Sequence, residues 1–134
     1  MKSIMLIDDN ADDNFFDERV IKKNDAADIV IIKKSALEAL DYLKSKNNNN
    51  EAPPPPDLIF LDINMPKMNG WDFLKQYEKL AIEFQKNTVV VMLTTSEHTS
   101  DMMKAKLFHK VSEFKTKPLT KEMLEEILEK HFGH

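Results

Sequence analysis

Five short apolar runs, each followed by a segment with helical spacing of its apolar residues, account for most of this 134-residue chain. That alternation is the pattern of βα units wound around a parallel sheet. The runs are Ser3–Ile7, Ile29–Ile32, one that closes at Leu61, Thr88–Leu93 and the more polar Val111–Thr116. Between them the spacing predicts five helices. The first covers Asp13–Lys23, with Phe16 and Val20 one turn apart and Asp12 and Asp13 near its start, where carboxylates suit the helix dipole. The second covers Ala36–Lys44, with Leu37, Leu40 and Leu43 on one face, and the third follows Gly70 with Trp71, Leu74, Tyr77 and Ala81. The fourth, Ser100–Lys110, sets Met103 and Leu107 one turn apart; the fifth runs from a Thr120 cap to Phe132 with Met123, Leu124, Ile127 and Leu128 inward.

The polar residues at the ends of these runs narrow the reading further. Asp8 and Asp9 follow the first run, Asp62 the third, Thr94 the fourth and Lys117 the fifth. In an open α/β sheet the helices cover both faces, and ligands bind in the crevice at the carboxyl ends of the strands. Strand order 2-1-3-4-5 makes the four site-bearing strands contiguous and leaves the second, which carries no such residue, at the outer edge. Strands about 4.8 Å apart then bring Asp8, Asp9 and Asp62 together, and Lys117 reaches across with its long stem. Taken singly, each residue has a plain explanation: solvated acids in a turn, a strand-ending Asp, a β-forming Thr, a Lys-Pro pair opening a helix. Jointly they are hard to explain that way, because clustered carboxylates repel and an acid closing a buried strand is costly without a partner.

Composition agrees with one domain spanning 1–134. With 42% hydrophobic residues the chain can bury a useful core, and no apolar stretch approaches the roughly 20 residues of a membrane span. The chain enters strand-like sequence at once, without the pattern of a secretory leader, so the expectation is a cytoplasmic protein with no membrane partner. The absence of cysteine excludes thiolate chemistry, and a net charge of -4 argues against direct nucleic-acid binding. The low-complexity stretch from Asn47 to Pro56 separates the second helix from the third strand, at the edge opposite the proposed site. It reads as a solvated, proline-stiffened spacer, with a docking motif as the alternative. His98, His109, His131 and His134 show no pairing with other metal donors and read as surface histidines.

Three carboxylates, a hydroxyl and an ammonium at one edge call for a divalent cation and a phosphoryl group. Magnesium is the natural cation, since it takes one or two carboxylates, keeps waters and accepts phosphate oxygens. A carboxylate can attack phosphorus to give an acyl phosphate, and the rest of phosphoryl transfer is positioning and charge neutralisation. Asp62 is the expected nucleophile. Asp8, Asp9, Asp62 and the backbone carbonyl of Asn64 are the expected Mg2+ ligands, with Lys117 and the Thr94 hydroxyl meeting the remaining phosphoryl oxygens.

These residues resemble the receiver domains of two-component response regulators. The stretches that carry the resemblance are Ile7-Asp8-Asp9, Leu61-Asp62-Ile63-Asn64-Met65-Pro66 with Met68-Asn69-Gly70, Leu93-Thr94-Thr95-Ser96, and Lys117-Pro118. The resemblance covers almost the whole chain and implies a flavodoxin-like doubly wound fold, with Asp62 accepting a phosphoryl group from the phosphohistidine of a sensor kinase or phosphotransfer protein. It also implies that Thr94 and the aromatic matching Phe114 rearrange on phosphorylation, changing a surface of helix 4, strand 5 and helix 5 that binds a downstream protein. Phe114 as a core ring is compatible with that role. The loop from Thr94 to Lys117 is one residue longer than in chemotaxis-type regulators. In this, and in its long loop before strand 3, the chain is similar to phytochrome-partner regulators. Lys110 and Ala36 stand where the family often has Gly. No output domain follows helix 5, so the expectation is a stand-alone receiver and a monomer; a two-fold dimer through helix 4, strand 5 and helix 5 on phosphorylation is an alternative that no residue decides.

Two other classes compete. A magnesium-dependent phosphatase also uses an aspartyl phosphate, but commonly places a second acid two residues beyond it, where this chain has Asn64. A degenerate, unphosphorylated receiver is disfavoured by the complete set Asp8, Asp9, Asp62, Thr94 and Lys117.

Overall fold

The computed structural model describes residues 3–45, 55–80, 87–95 and 98–133. In chain order its elements are β1 (Ser3–Ile7), α1 (Ala11–Lys23), β2 (Ile29–Lys33), α2 (Ala36–Ser45), β3 (Leu58–Leu61), α3 (Gly70–Tyr77), β4 (Val89–Thr94), α4 (Thr99–Ala105), β5 (Val111–Thr116) and α5 (Lys121–Phe132). The strands form one parallel sheet in the order β2-β1-β3-β4-β5, as the strand-end argument requires. The described residues therefore form the flavodoxin-like doubly wound fold with five helices.

Period-two alternation divides the core between the two faces of the sheet. Met5, Ile7, Ile59, Leu61, Val90 and Met92 face α2 and α3, while Ile4, Leu6, Leu58, Phe60, Val91 and Leu93 face residues of α1 and α5. Because β1 and β3 are buried on both faces they read as continuous apolar runs. The entry to β3 lies at the amino edge, where Asp57 N–H donates to the Ser3 carbonyl at 3.0 Å and Ser3 N–H to the Asp57 carboxylate at 3.0 Å. Most of the Asn47–Pro56 stretch, like Ala81, Ser96 and His134, lies outside the described residues.

Three helical expectations are corrected. Helix α1 starts at Ala11, not Asp13, because the Asn10 side chain caps it, accepting from Asp12 N–H at 2.9 Å and Asp13 N–H at 3.1 Å. Its buried residues are Asn14, Asp17 and Ile21, and Phe16 is 47% exposed. The buried face of α2 is Ala36, Ala39, Leu40 and Leu43, which leaves Leu37 at the solvent edge. Helix α4 ends at Ala105 rather than Lys110. There the chain tightens through Lys106 N–H to Met103 O, Leu107 N–H to Lys104 O and Phe108 N–H to Ala105 O. Phe108 then stacks on Trp71 of α3, ring centroids 5.7 Å apart, so Met103 and Leu107 stay on the solvent side.

Candidate functional site

Parallel register places the four polar strand ends at one edge. Ile7 pairs with Leu61, Leu61 with Met92 and Thr94 with Thr116, so the residues immediately beyond these positions converge. The ladder continues one step past the strands: Asp62 N–H donates to Ile7 O at 3.0 Å, Asp8 N–H to Lys33 O at 3.1 Å and Lys117 N–H to Thr94 O at 2.8 Å. Each site side chain therefore grows from backbone that the sheet already holds.

Asp62 is 7% exposed. Its carboxylate accepts from its neighbour Ile63 N–H at 2.9 Å and from the Thr94 hydroxyl, which is itself fully buried. Burial foremost, then the charge on Asp8, pushes the Asp62 pKa up to about 6, against the lowering effect of Lys117, Thr94 and the Ile63 amide. Lys117 Nζ lies 2.6 Å from Asp8 Oδ2, 2.8 Å from Asp13 Oδ2 and 3.7 Å from Asp62 Oδ2. Desolvation would lower the lysine pKa, but hydrogen bonds to Asp13 and Asp8 and the charge of Asp62 outweigh it and hold the ammonium well above the ordinary lysine range.

Carboxylate oxygens of Asp8, Asp9 and Asp62 lie within 4.8 Å of one another, with Asp8 and Asp62 buried and Asp9 exposed. This cluster can hold a metal ion. All its donors are oxygen, which suits a hard cation, and the exposed side at Asp9 lets that cation keep part of its water shell. Asn64 is exposed in the loop after β3. Two backbone devices hold that loop. Asn69 and Asp72 form a capping box at the start of α3, and Gly70 N–H donates to Ile63 O at 2.8 Å. Phe114 is half-buried against the core on the α3 side.

Three residues of α1 that the sequence reading did not place at the site join it. Asp13 pairs with Lys117, Asn14 Nδ2 donates to the Asp8 carbonyl at 2.8 Å, and Asp17 is 5% exposed under the same carboxylates. The signal for Asn14 and Asp17 was the helical stripe they form with Ile21, in which polar residues occupy inward positions.

Burial also pushes the Asp17 pKa up to about 7, with Lys117 opposing and Asp8, Asp13 and Asp62 adding to the rise. An acid whose folded pKa is raised stabilises the fold below its unfolded pKa, and that contribution is lost as pH rises through the folded value. Asp17→Asn removes this titration. The variant is therefore expected to gain stability relative to wild type between pH 5 and pH 8, by on the order of 2 kcal/mol, in metal-free denaturant titrations. A difference that does not change with pH would contradict the burial of an uncompensated acid there.

Among the described residues, no helix is long and apolar enough to cross a membrane. A curated relative, response regulator Rcp1 from Synechocystis, is 32% identical over 111 residues, 81% of this chain and 71% of Rcp1. A protein-glutamate methylesterase/protein-glutamine glutaminase from Burkholderia thailandensis is 30% identical over 95 residues. That match takes in 71% of this chain and spans only 23% of the length of the methylesterase. The crystal structure of a two-component response regulator from Cytophaga hutchinsonii superposes with a TM-score of 0.88 at 25% identity, covering 100% of this chain and 98% of that one. The family described as "Response regulator receiver domain" matches residues 4–129, and the chain belongs to that family of two-component signalling domains.

Proposed function

We propose that Asp62 is a phosphoacceptor, charged by a phosphohistidine on a sensor kinase or phosphotransfer protein in a Mg2+-dependent reaction. The observation that carries this is the Asp62 carboxylate lying in one pocket with the Asp8 and Asp9 carboxylates and 3.7 Å from the Lys117 ammonium. An Asp62 oxygen attacks phosphorus, the bond from phosphorus to the imidazole nitrogen breaks, and its electron pair leaves with the imidazole. At neutral pH a pKa of about 6 leaves Asp62 mostly ionised and so nucleophilic. Mg2+ held by Asp8, Asp9, Asp62 and the Asn64 carbonyl supplies charge neutralisation at the phosphoryl oxygens. Lys117 exchanges a carboxylate contact for a phosphoryl oxygen, and the Thr94 hydroxyl leaves Asp62 to meet another.

The expected output is a changed surface at α4, β5 and α5 that binds a downstream protein in the cytoplasm. Thr94 on β4 is registered against Thr116 on β5, two residues from Phe114, so a shift of Thr94 is passed to the face where Met102, Met103 and Leu107 are exposed. Incubation with a small acyl phosphate and Mg2+, followed by intact mass, is expected to add one phosphoryl group to wild type. None is expected with Asp62→Ala or after chelation of the metal. An adduct on Asp62→Ala, or none on wild type with either an acyl phosphate or a phosphorylated kinase, would refute the assignment.

A further inference from the structure

Beneath the carboxylates, where α1 crosses the ends of β1, β3 and β4, lies a cavity of about 10 Å³. Phe60 and Leu93 form part of its apolar wall, and Asp8, Asn14, Asp17 and Asp62 form its polar lining. Asn14 is 2% exposed, and its amide nitrogen is spent on the Asp8 carbonyl. Its Oδ1, fully buried, has no hydrogen-bond partner among the described residues. A buried acceptor left unpaired is costly, and about 10 Å³ is roughly what one water molecule needs when several polar groups surround it. Asp17, one turn further along α1, borders the same space and carries a proton when neutral, so it can donate where Asn14 Oδ1 accepts.

We propose that this cavity holds one buried water that bridges Asn14 Oδ1 and Asp17, and that Asn14 and Asp17 thereby position Asp8 for Mg2+. The positioning role rests on the reading of Asp8 as a metal ligand; the water does not. Asn14 acts on Asp8 through the carbonyl bond, and the water and Asp17 fix the Asn14 amide so that its nitrogen points at Asp8. Partners behind a metal ligand typically change affinity 10- to 100-fold when removed.

A high-resolution crystal structure of the wild type is expected to show ordered water in the cavity. Mg2+ titrations at pH 6.5, read by Trp71 fluorescence or calorimetry, are expected to give Asp17→Asn a Kd within about twofold of wild type, because the amide replaces the neutral acid donor for donor. Asp17→Leu and Asn14→Ser are expected to raise the Kd about tenfold with the fold intact by circular dichroism. Should the leucine variant fail to fold, Asn14→Ser, which removes the donor to Asp8, decides the positioning role alone. A dry cavity beside normal Mg2+ binding, an unchanged Kd in Asn14→Ser, or Asp17→Asn as weak as Asp17→Leu overturns the inference. Wild type that binds no Mg2+ overturns the reading of Asp8 as a ligand, and the positioning role with it.

Discussion

Lys117→Met is expected to cost about 3 kcal/mol of stability at pH 8 and much less at pH 4.5, because breaking a buried ion pair leaves uncompensated charge behind. The ammonium is the cation that Asp8 and Asp13 contact at 2.6 and 2.8 Å, with Asp62 at 3.7 Å, and its side chain is 10% exposed. The sign with pH follows from the carboxylates. Lys117 itself stays charged below the ordinary lysine pKa, so its own titration contributes nothing over this range. Without it Asp62 and Asp17, already raised by burial, rise further, and stability present at low pH is lost as pH climbs through their folded values. Mg2+ is expected to recover most of the loss at pH 8, because a divalent ion among the same oxygens replaces the missing charge. Phosphorylation by an acyl phosphate is expected to fall at least about 100-fold even so, since in the proposed reaction a phosphoryl oxygen loses its cationic partner. Urea titrations at the two pH values, with and without Mg2+, check the argument. An equal loss at both, indifferent to metal, would mean that Lys117 stabilises by packing its stem and not by its charge.

The strand ends were legible in the sequence because burial on both faces leaves no ambiguity. Ile4-Met5-Leu6-Ile7 and Leu58-Ile59-Phe60-Leu61 have no polar position until Asp8 and Asp62, so the point where each strand leaves the core is printed in the chain. Parallel pairing then fixes that these points align. The helices were less legible where packing, not hydrophobicity, chose the inward face. In α1 a search for apolar periodicity selects Phe16 and Val20, yet the helix turns Asn14 and Asp17 to the sheet, since the space above β1 and β3 is the polar floor of the site. Asp13 was read as a dipole partner because a sequence cannot show that the first turn of α1 stands beside the end of β5. In α4, Met103 and Leu107 have helical spacing, but the stack of Phe108 on Trp71 ends the helix first. A polar residue on an inward stripe near a proposed site is thus a signal of its own: Asn14 and Asp17 read as breaks in the α1 pattern and are part of the constellation.

Gly70→Ala, a change of one methyl group outside the acidic cluster, is expected to reach Asp62, the proposed phosphoacceptor, by contact alone. A Cβ built on Gly70 would sit 2.5 Å from the Asp62 carbonyl oxygen, 3.0 Å from Ile63 Cα and 3.3 Å from the Asp62 carbonyl carbon. All three are backbone atoms, so no side-chain rotation relieves the clash, and either the end of β3 or the first turn of α3 must move. The hydrogen bond from Gly70 N–H to Ile63 O at 2.8 Å ties the two segments together and resists the separation, while the Asn69–Asp72 capping box fixes the first turn of α3. Overpacking of this kind costs about 1–3 kcal/mol, and the upper end is expected because rigid elements meet here. The displaced atoms are the backbone of Asp62 itself. A shift of about 1 Å in a reacting group can slow a reaction about 100-fold, so phosphorylation is expected to suffer more than the stability loss alone implies. Mg2+ does not relieve a steric clash, and in this the variant should differ from Lys117→Met, whose defect is electrostatic. Thermal unfolding with and without Mg2+, set beside the initial rate of adduct formation, separates the two. A Gly70→Ala protein with wild-type rate and midpoint would show that α3 can slide away from β3 at no cost. The close approach of Gly70 would then have no part in holding Asp62 in place.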